Sequence, residues 1–223
     1  MKNPMLEKKI DLDWEMGLQP ISLVRIRPKQ YYKIVGPLMI GIRLYSAREY
    51  YRLAVYAYPL WVEKKSIFKQ PIINELSFYD DKGLTIDIYY QKHQSKFIPA
   101  LNIIKSKMDF LKFDSISYTK LKNLLYECVL RGMPEQADSW GGFEYLRNIF
   151  HIAVAFNLDV AEEILSQFVN TNWRIDKLAF FNYNVDEMRL YMERLLKDKD
   201  EFIQTISKNK ETFQKLSCSE IVL

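Results

Sequence analysis

Glu144, Arg147 and His151 stand three and four residues apart, the spacing that lines side chains along one stripe of an α-helix. A carboxylate, a guanidinium and an imidazole in one stripe could move a proton and hold the charge that develops on a phosphodiester. The same spacing also describes an ordinary ion-pair row with an amphipathic histidine beside it, so the stripe reads either as a reactive site or as structure. The other histidine, His93, falls in the polar run Gln91-Lys92-His93-Gln94-Ser95-Lys96, expected to be a loop. Together with Cys128 and Cys218 the two histidines lack any metal-ligand spacing, so no metal is expected. Gly36 and Gly41 have the separation of phosphate-loop glycines, but Ile42-Arg43 follow where Lys and Ser or Thr are required. Gly141-Gly142 is a lone pair without a dinucleotide fingerprint, and no cofactor is expected.

A second concentration of chemistry runs from Arg25 to Tyr58. It carries the cations Arg25, Arg27, Lys29, Lys33, Arg43, Arg48 and Arg52, the single anion Glu49, and seven tyrosines. Fixed positive charge beside large amphipathic rings suits recognition rather than bond-breaking. Residues 1–70 hold 13 Lys and Arg against 6 Asp and Glu, whereas residues 71–223 hold 19 against 22. An acidic partner is therefore drawn to the first third. The expected partner contacts are Arg25, Arg27, Lys29, Arg48, Arg52 and Tyr56. The same residues admit a nucleic-acid reading, with phosphates on Arg and bases stacked on Tyr.

The elements that must position these groups read as mostly helical. Ile21–Arg27 alternates, with Arg25 and Arg27 on one parity, and suggests a short edge strand. Ser46 and Glu49 have capping-box spacing, and at 100° per residue Ala47, Tyr50, Tyr51, Ala54, Ala57 and Tyr58 share a face opposite Arg48 and Arg52. This predicts an amphipathic helix ending at Pro59. Alternation in Ile73–Tyr79 and in Leu84–Tyr90, around Asp80-Asp81-Lys82-Gly83, predicts a β-hairpin. Helices follow: one through Leu121–Val129 stopping at Gly132 before Pro134, one over Ser139–Phe156, one over Val160–Val169 after a tight Asn157-Leu158-Asp159 joint, and one after Asn184. The tail beyond Lys197 is charged, with sparse apolar anchors.

The predicted fold is accordingly mainly α, an irregular helical bundle with one inserted β-hairpin at about residues 73–90. Its expected division is a basic N-terminal lobe over 1–95 and a helical lobe over 96–223, sharing a core. With 48% hydrophobic and 27% charged residues among 223, the composition is that of an ordinary globular protein. Two distant cysteines predict a reducing compartment, and apolar runs far shorter than the roughly 20 residues of a bilayer span predict a cytoplasmic chain.

Segments such as AREYYRLAVYAYPLW and NLDVAEEIL give the chain a resemblance to the helical immunity proteins with which bacteria neutralise toxins. The resemblance covers about a third of the length, rests on no diagnostic motif and carries no site residue across. It implies a protein that binds a cognate toxin and occludes it. RNA-cleaving helical domains of the HEPN type carry an Arg and a His with four to six residues between them on one helix; Arg147 and His151 leave three between them, so that resemblance fails on spacing. Three readings stand: a non-enzymatic protein-binding protein with an acidic partner, a nucleic-acid-binding module, and a nuclease-like enzyme using Glu144, Arg147 and His151.

Overall fold

The computed structural model describes residues 4–80, 82–130 and 136–223. It overturns the mainly helical expectation. The fold is α/β, 56% helical and 21% strand, built on an eight-stranded mixed sheet curled into a half-barrel.

The decisive difference lies between residues 24 and 59. Strands β1 (Val24–Arg27), β2 (Gln30–Val35), β3 (Leu38–Ser46) and β4 (Tyr50–Pro59) form successive antiparallel pairs. The segment expected as a Ser46-capped helix is therefore the turn and second arm of the β3–β4 hairpin. Ser46 lies opposite Tyr51, and Glu49 sits in the turn. Aromatic and β-branched side chains favour the extended state here, and the long β3–β4 ladder secures it. Gly36 takes a left-handed φ of 53° at the β2–β3 turn. Gly41 lies in β3 opposite Tyr32, where a Cβ would meet the Tyr31 carbonyl oxygen at 1.9 Å and the Tyr32 ring at 2.5 Å. The spacing that mimics a phosphate loop is thus a turn and a close strand contact.

The expected hairpin at 73–90 is also corrected. Strands β5 (Ile73–Ser77) and β6 (Asp87–Tyr89) each pair with β4, one after the other along the same edge. Among the described residues the segment between them is closed by the bridge Tyr79↔Thr85, and the two strands do not pair with each other. Asp80 organises the intervening loop by accepting from the amides of Lys82 and Leu84, and Gly83 has a φ of 75°. Asp81, and the Gly132 and Pro134 expected to end a helix, lie outside the described residues.

The sheet continues into the second half of the chain. Strand β8 (Cys218–Val222) runs parallel to β2 and to β7 (Ser115–Ser117), so the charged tail is part of the sheet. Helix α1 (Pro4–Leu18) occupies the expected lead-in, and α2 (His93–Lys107) contains the residues expected as a loop around His93. Helices α3 (Tyr118–Leu130), α4 (Trp140–Val154), α5 (Leu158–Asn170) and α7 (Val185–Lys197) follow the sequence pattern. Between the last two lies the short α6 (Ile175–Phe180), and α8 (Asp200–Thr212) follows. Asn157 and Asn184 cap α5 and α7, accepting from the amides of Val160 and Glu187. Asn209 on α8 is buried and donates to the Leu60 and Val62 carbonyls, each at 2.8 Å, tying this helix to the end of β4. The buried apolar residues form one continuous cluster from Ile10 to Ile221.

Opposed residues of antiparallel strands share a face. One face of the sheet (Tyr31, Lys33, Ile40, Ile42, Leu44, Tyr51, Leu53, Val55) is buried, and α1 and α2 reach it through Trp14, His93 and Phe97. The opposite face is half covered. Phe68, in the 3-10 turn Lys64–Lys69, packs on Tyr32 and Tyr58, while Gln30, Arg43, Tyr45, Tyr50 and Arg52 keep some exposure. Among the described residues no helix is long and apolar enough to cross a membrane.

Candidate functional site

The open half of the sheet face is built from strands β1 to β4, with β6 at its edge, and one irregularity. Arg25 lies opposite Tyr31, whereas Arg27 lies opposite Gln30, with a register shift between them. That bulge puts two residues of β1 against one of β2 and turns the two arginines to opposite faces, correcting the expected shared parity. Arg25 points to the helix side, with its Nη1 2.8 Å from Asp11 and 3.1 Å from Glu15. Arg27 points to the open side, its guanidinium 4.9 Å from the centre of the Phe68 ring.

Arg43 lies two strands away on the same face, through the register Arg27–Gln30–Arg43. It donates to the Tyr58 hydroxyl at 3.0 Å and stands 4.8 Å over the Tyr56 ring. Tyr56 stacks on Tyr58, and Tyr32 packs against Tyr58. Burial raises the Tyr32 phenol well above its ordinary value, so this ring stays neutral beside the guanidinium. Neither Arg27 nor Arg43 has a carboxylate partner among the described residues. Tyr45, Tyr50 and Tyr89 form the outer rim, with the last two rings 5.9 Å apart.

Beside Arg27 a groove of about 690 Å³ runs between the 64–69 turn and the end of α8. Lys64, Lys65 and Lys69 surround its floor of Phe68 and Phe213. Its one acid, Glu63, pairs with Lys65 at 2.9 Å. The sheet-face arginines and the groove thus form a cationic surface with an aromatic floor, able to hold carboxylates or phosphates next to an apolar group.

The six expected contact residues separate on this geometry. Arg27 belongs to the open face. Arg25 and Lys29 are bound to α1; Lys29 Nζ is 3.2 Å from Glu7 and 2.9 Å from Ser46 Oγ. Arg52 makes a two-point contact with Asp87 at 2.7 and 3.1 Å. Arg48 is exposed in the β3–β4 turn, away from the groove. Tyr56, expected outside, is buried under Arg43. Arg43, Lys64, Lys65 and Lys69 were not among the expected contacts. Three lysines around Phe68 in Glu63–Gln70 are the signal that would have pointed to the groove.

Glu144, Arg147 and His151 do share one stripe of α4, and it lines a cleft of about 1000 Å³ with Trp61, Lys69, Cys128, Trp140 and Asn148. Arg147 pairs with Glu144 at 2.5 Å, and Tyr183 donates its hydroxyl to the other Glu144 oxygen. Burial, with this hydrogen bond, pushes the Tyr183 phenol up to about 12. His151 packs in a three-ring cluster with Trp61, 5.1 Å away, and Phe202, 5.8 Å away, which also meet each other at 6.1 Å. Burial pushes its imidazole down to about 4, so it is neutral near pH 7. Its Nδ1–H donates to the Arg147 carbonyl at 2.7 Å, which leaves Nε2 to accept from Tyr191 at 3.0 Å. A neutral imidazole with both nitrogens engaged holds the cleft wall in place. As a base it would act only by releasing the Tyr191 hydroxyl.

His93, expected in a loop, is buried in a separate chain of polar groups. Asp13 accepts from Nε2 at 2.8 Å, Tyr51 meets Nδ1 at 2.7 Å, and the Trp14 indole donates to the Tyr51 oxygen at 3.1 Å. Burial would raise the Asp13 carboxyl, but the hydrogen bonds from Lys9 and His93 outweigh it and hold it below its ordinary value. Acid, imidazole and phenol are in the order of a nucleophilic triad, yet Tyr51 is 1% exposed and burial raises its phenol. This network joins α1, α2 and β4. Among the described residues no group of His, Cys, Asp and Glu has the geometry to hold a metal.

No family model, curated protein or solved structure matches this chain.

Proposed function

We propose that this protein binds an acidic segment of another protein on its open sheet face and the adjoining groove, without chemistry of its own. The observation that carries this reading is Arg43: a partly buried guanidinium that meets a phenol and an aromatic ring and no carboxylate. Arg27, Lys64 and Lys69 extend the same unmatched charge across the groove. Arginine beside tyrosine and phenylalanine is the composition that interface centres collect, and charge of one sign steers the encounter. A toxin with an acidic surface is the partner to which the resemblance to immunity proteins points. The groove is short and contains Glu63, which favours a few carboxylates around an apolar anchor over a tracked phosphate backbone.

The test is paired capture from the source cells, with the wild type and an Arg27→Glu/Arg43→Glu double variant as baits. A partner retained by the wild type and lost by the variant, with an acidic patch on its surface, is the expected outcome. Equal retention by both baits contradicts the proposal. Salt-sensitive binding of random-sequence oligonucleotides at micromolar strength would replace it with the nucleic-acid reading.

A further inference from the structure

The α4 cleft contains a polar group that nothing in the fold completes. Asn148 is 4% exposed and lines the cleft, and its amide has no hydrogen-bond partner among the described residues. Its polar atoms are not sealed in the core but open onto the cleft, where a ligand can meet both donor and acceptor. The indole N–H groups of Trp61 and Trp140, on the same cleft, likewise have no acceptor among the described residues. We propose that this cleft is a second binding site, for a small planar heterocycle bearing one anionic group, of the nucleoside monophosphate class.

Each part of that ligand answers an observation. A side-chain amide presents a donor and an acceptor in one plane, the complement of the lactam or amidine edge of a heterocycle. Trp61, Trp140, Tyr183 and Tyr191 give the flat apolar walls that suit a planar ring. At the mouth, Lys69 is exposed and has no carboxylate partner among the described residues, while the one cleft carboxylate, Glu144, is matched by Arg147. The excess charge is therefore positive and calls for an anion. The volume, about 1000 Å³, lies at the upper end of small-molecule sites. Burial lifts the Cys128 thiol to about 12, which makes it a wall rather than a nucleophile.

The experiment is a fluorescence titration of the whole protein with each of the four nucleoside monophosphates, the parent nucleosides, ribose 5-phosphate and inorganic phosphate. Of the four tryptophans, Trp14 and Trp173 are buried elsewhere, so quenching reports on Trp61 and Trp140. At least one monophosphate should quench saturably below millimolar concentration, and ribose 5-phosphate should not. Asn148→Leu should weaken that binding about tenfold or more while the melting temperature holds, since the amide makes no side-chain hydrogen bond to the described residues. Lys69→Glu, at an exposed position, should weaken the monophosphate about tenfold and leave the nucleoside unchanged; it decides the matter if the leucine variant does not fold. The Arg27→Glu/Arg43→Glu variant should titrate as the wild type does. Saturation by none of the four monophosphates overturns the inference, as does wild-type binding in both cleft variants or equal binding of ribose 5-phosphate.

Discussion

On the helix-covered face of the sheet every cation has its partner. Arg25 meets Asp11 and Glu15, Lys29 meets Glu7, and buried Lys33 donates to the carbonyls of Leu111 and Phe113 at 2.6 and 2.9 Å. On the opposite face Arg27 and Arg43, drawn from the same short stretch of sequence, meet rings and a phenol. The covered face uses its cations to fasten α1 and the 109–113 turn to the sheet, where an unmatched charge would be costly to bury. The open face keeps its cations available. Register and a single bulge, rather than charge density along the chain, decide which arginine does which.

The widest gap between the faces should appear in stability. Asp11 accepts from Arg25, from the Lys29 amide and from the buried Tyr31 hydroxyl. Replacing it with Ala strands the Lys29 amide and leaves Arg25 with Glu15 and Tyr31 with the backbone carbonyl of residue 11, and should cost about 2–3 kcal/mol in denaturant unfolding. Arg43→Met should cost no more than about 1 kcal/mol, because it removes a partly exposed cation–π contact and one hydrogen bond. Comparable losses from the two substitutions would erase the distinction between the faces.

His151 extends the contrast into the helical half, since it is matched as fully as the covered face. Its unfolded imidazole takes a proton below about 6.5 and its folded one only near 4. Unfolding therefore takes up a proton in that window. The stability it contributes is complete above pH 6.5 and is lost as pH falls towards 4, roughly 3 kcal/mol in all. Urea unfolding midpoints across pH 4–7 should show this slope, and His151→Gln should flatten it. A wild type with no slope there would mean that His151 is open to water.

Arg52 falls between the two classes, on the open side yet matched to Asp87, with both side chains under a third exposed. Asp87→Asn should cost under about 1 kcal/mol, as partly exposed pairs do. By releasing Arg52 it should also speed association with an acidic partner at low salt, and added salt should suppress that gain. Unchanged association would confine the working surface to Arg27, Arg43 and the groove.

The helices were legible where one face is buried and a cap is present. α4, α5 and α7 show three-and-four spacing, and Asn184 stands at the start of α7. At α5 the spacing of Asp159 with Glu162 suggests a cap two residues beyond Asn157, which is the cap. The sheet was not legible for a physical reason. Much of β3 and β4 is buried on both faces, so the alternation that marks a half-exposed strand is lost and a helical stripe fits the same tyrosines. The parallel pairing of β8 with β2 joins opposite ends of the chain and leaves no local signal. The Glu144, Arg147 and His151 stripe was readable from spacing alone. What was not readable was the Trp61 and Phe202 stack that makes its histidine neutral, because those rings come from distant segments.

The claim that the open face recognises acidic protein segments is tested most directly by selecting peptides from a random display library at near-physiological salt. The wild type should enrich sequences with several Asp or Glu residues around an aromatic or aliphatic anchor, and the Arg27→Glu/Arg43→Glu variant should lose that enrichment while folding normally. Enrichment of the same peptides by both proteins, or of none that are acidic, would contradict it.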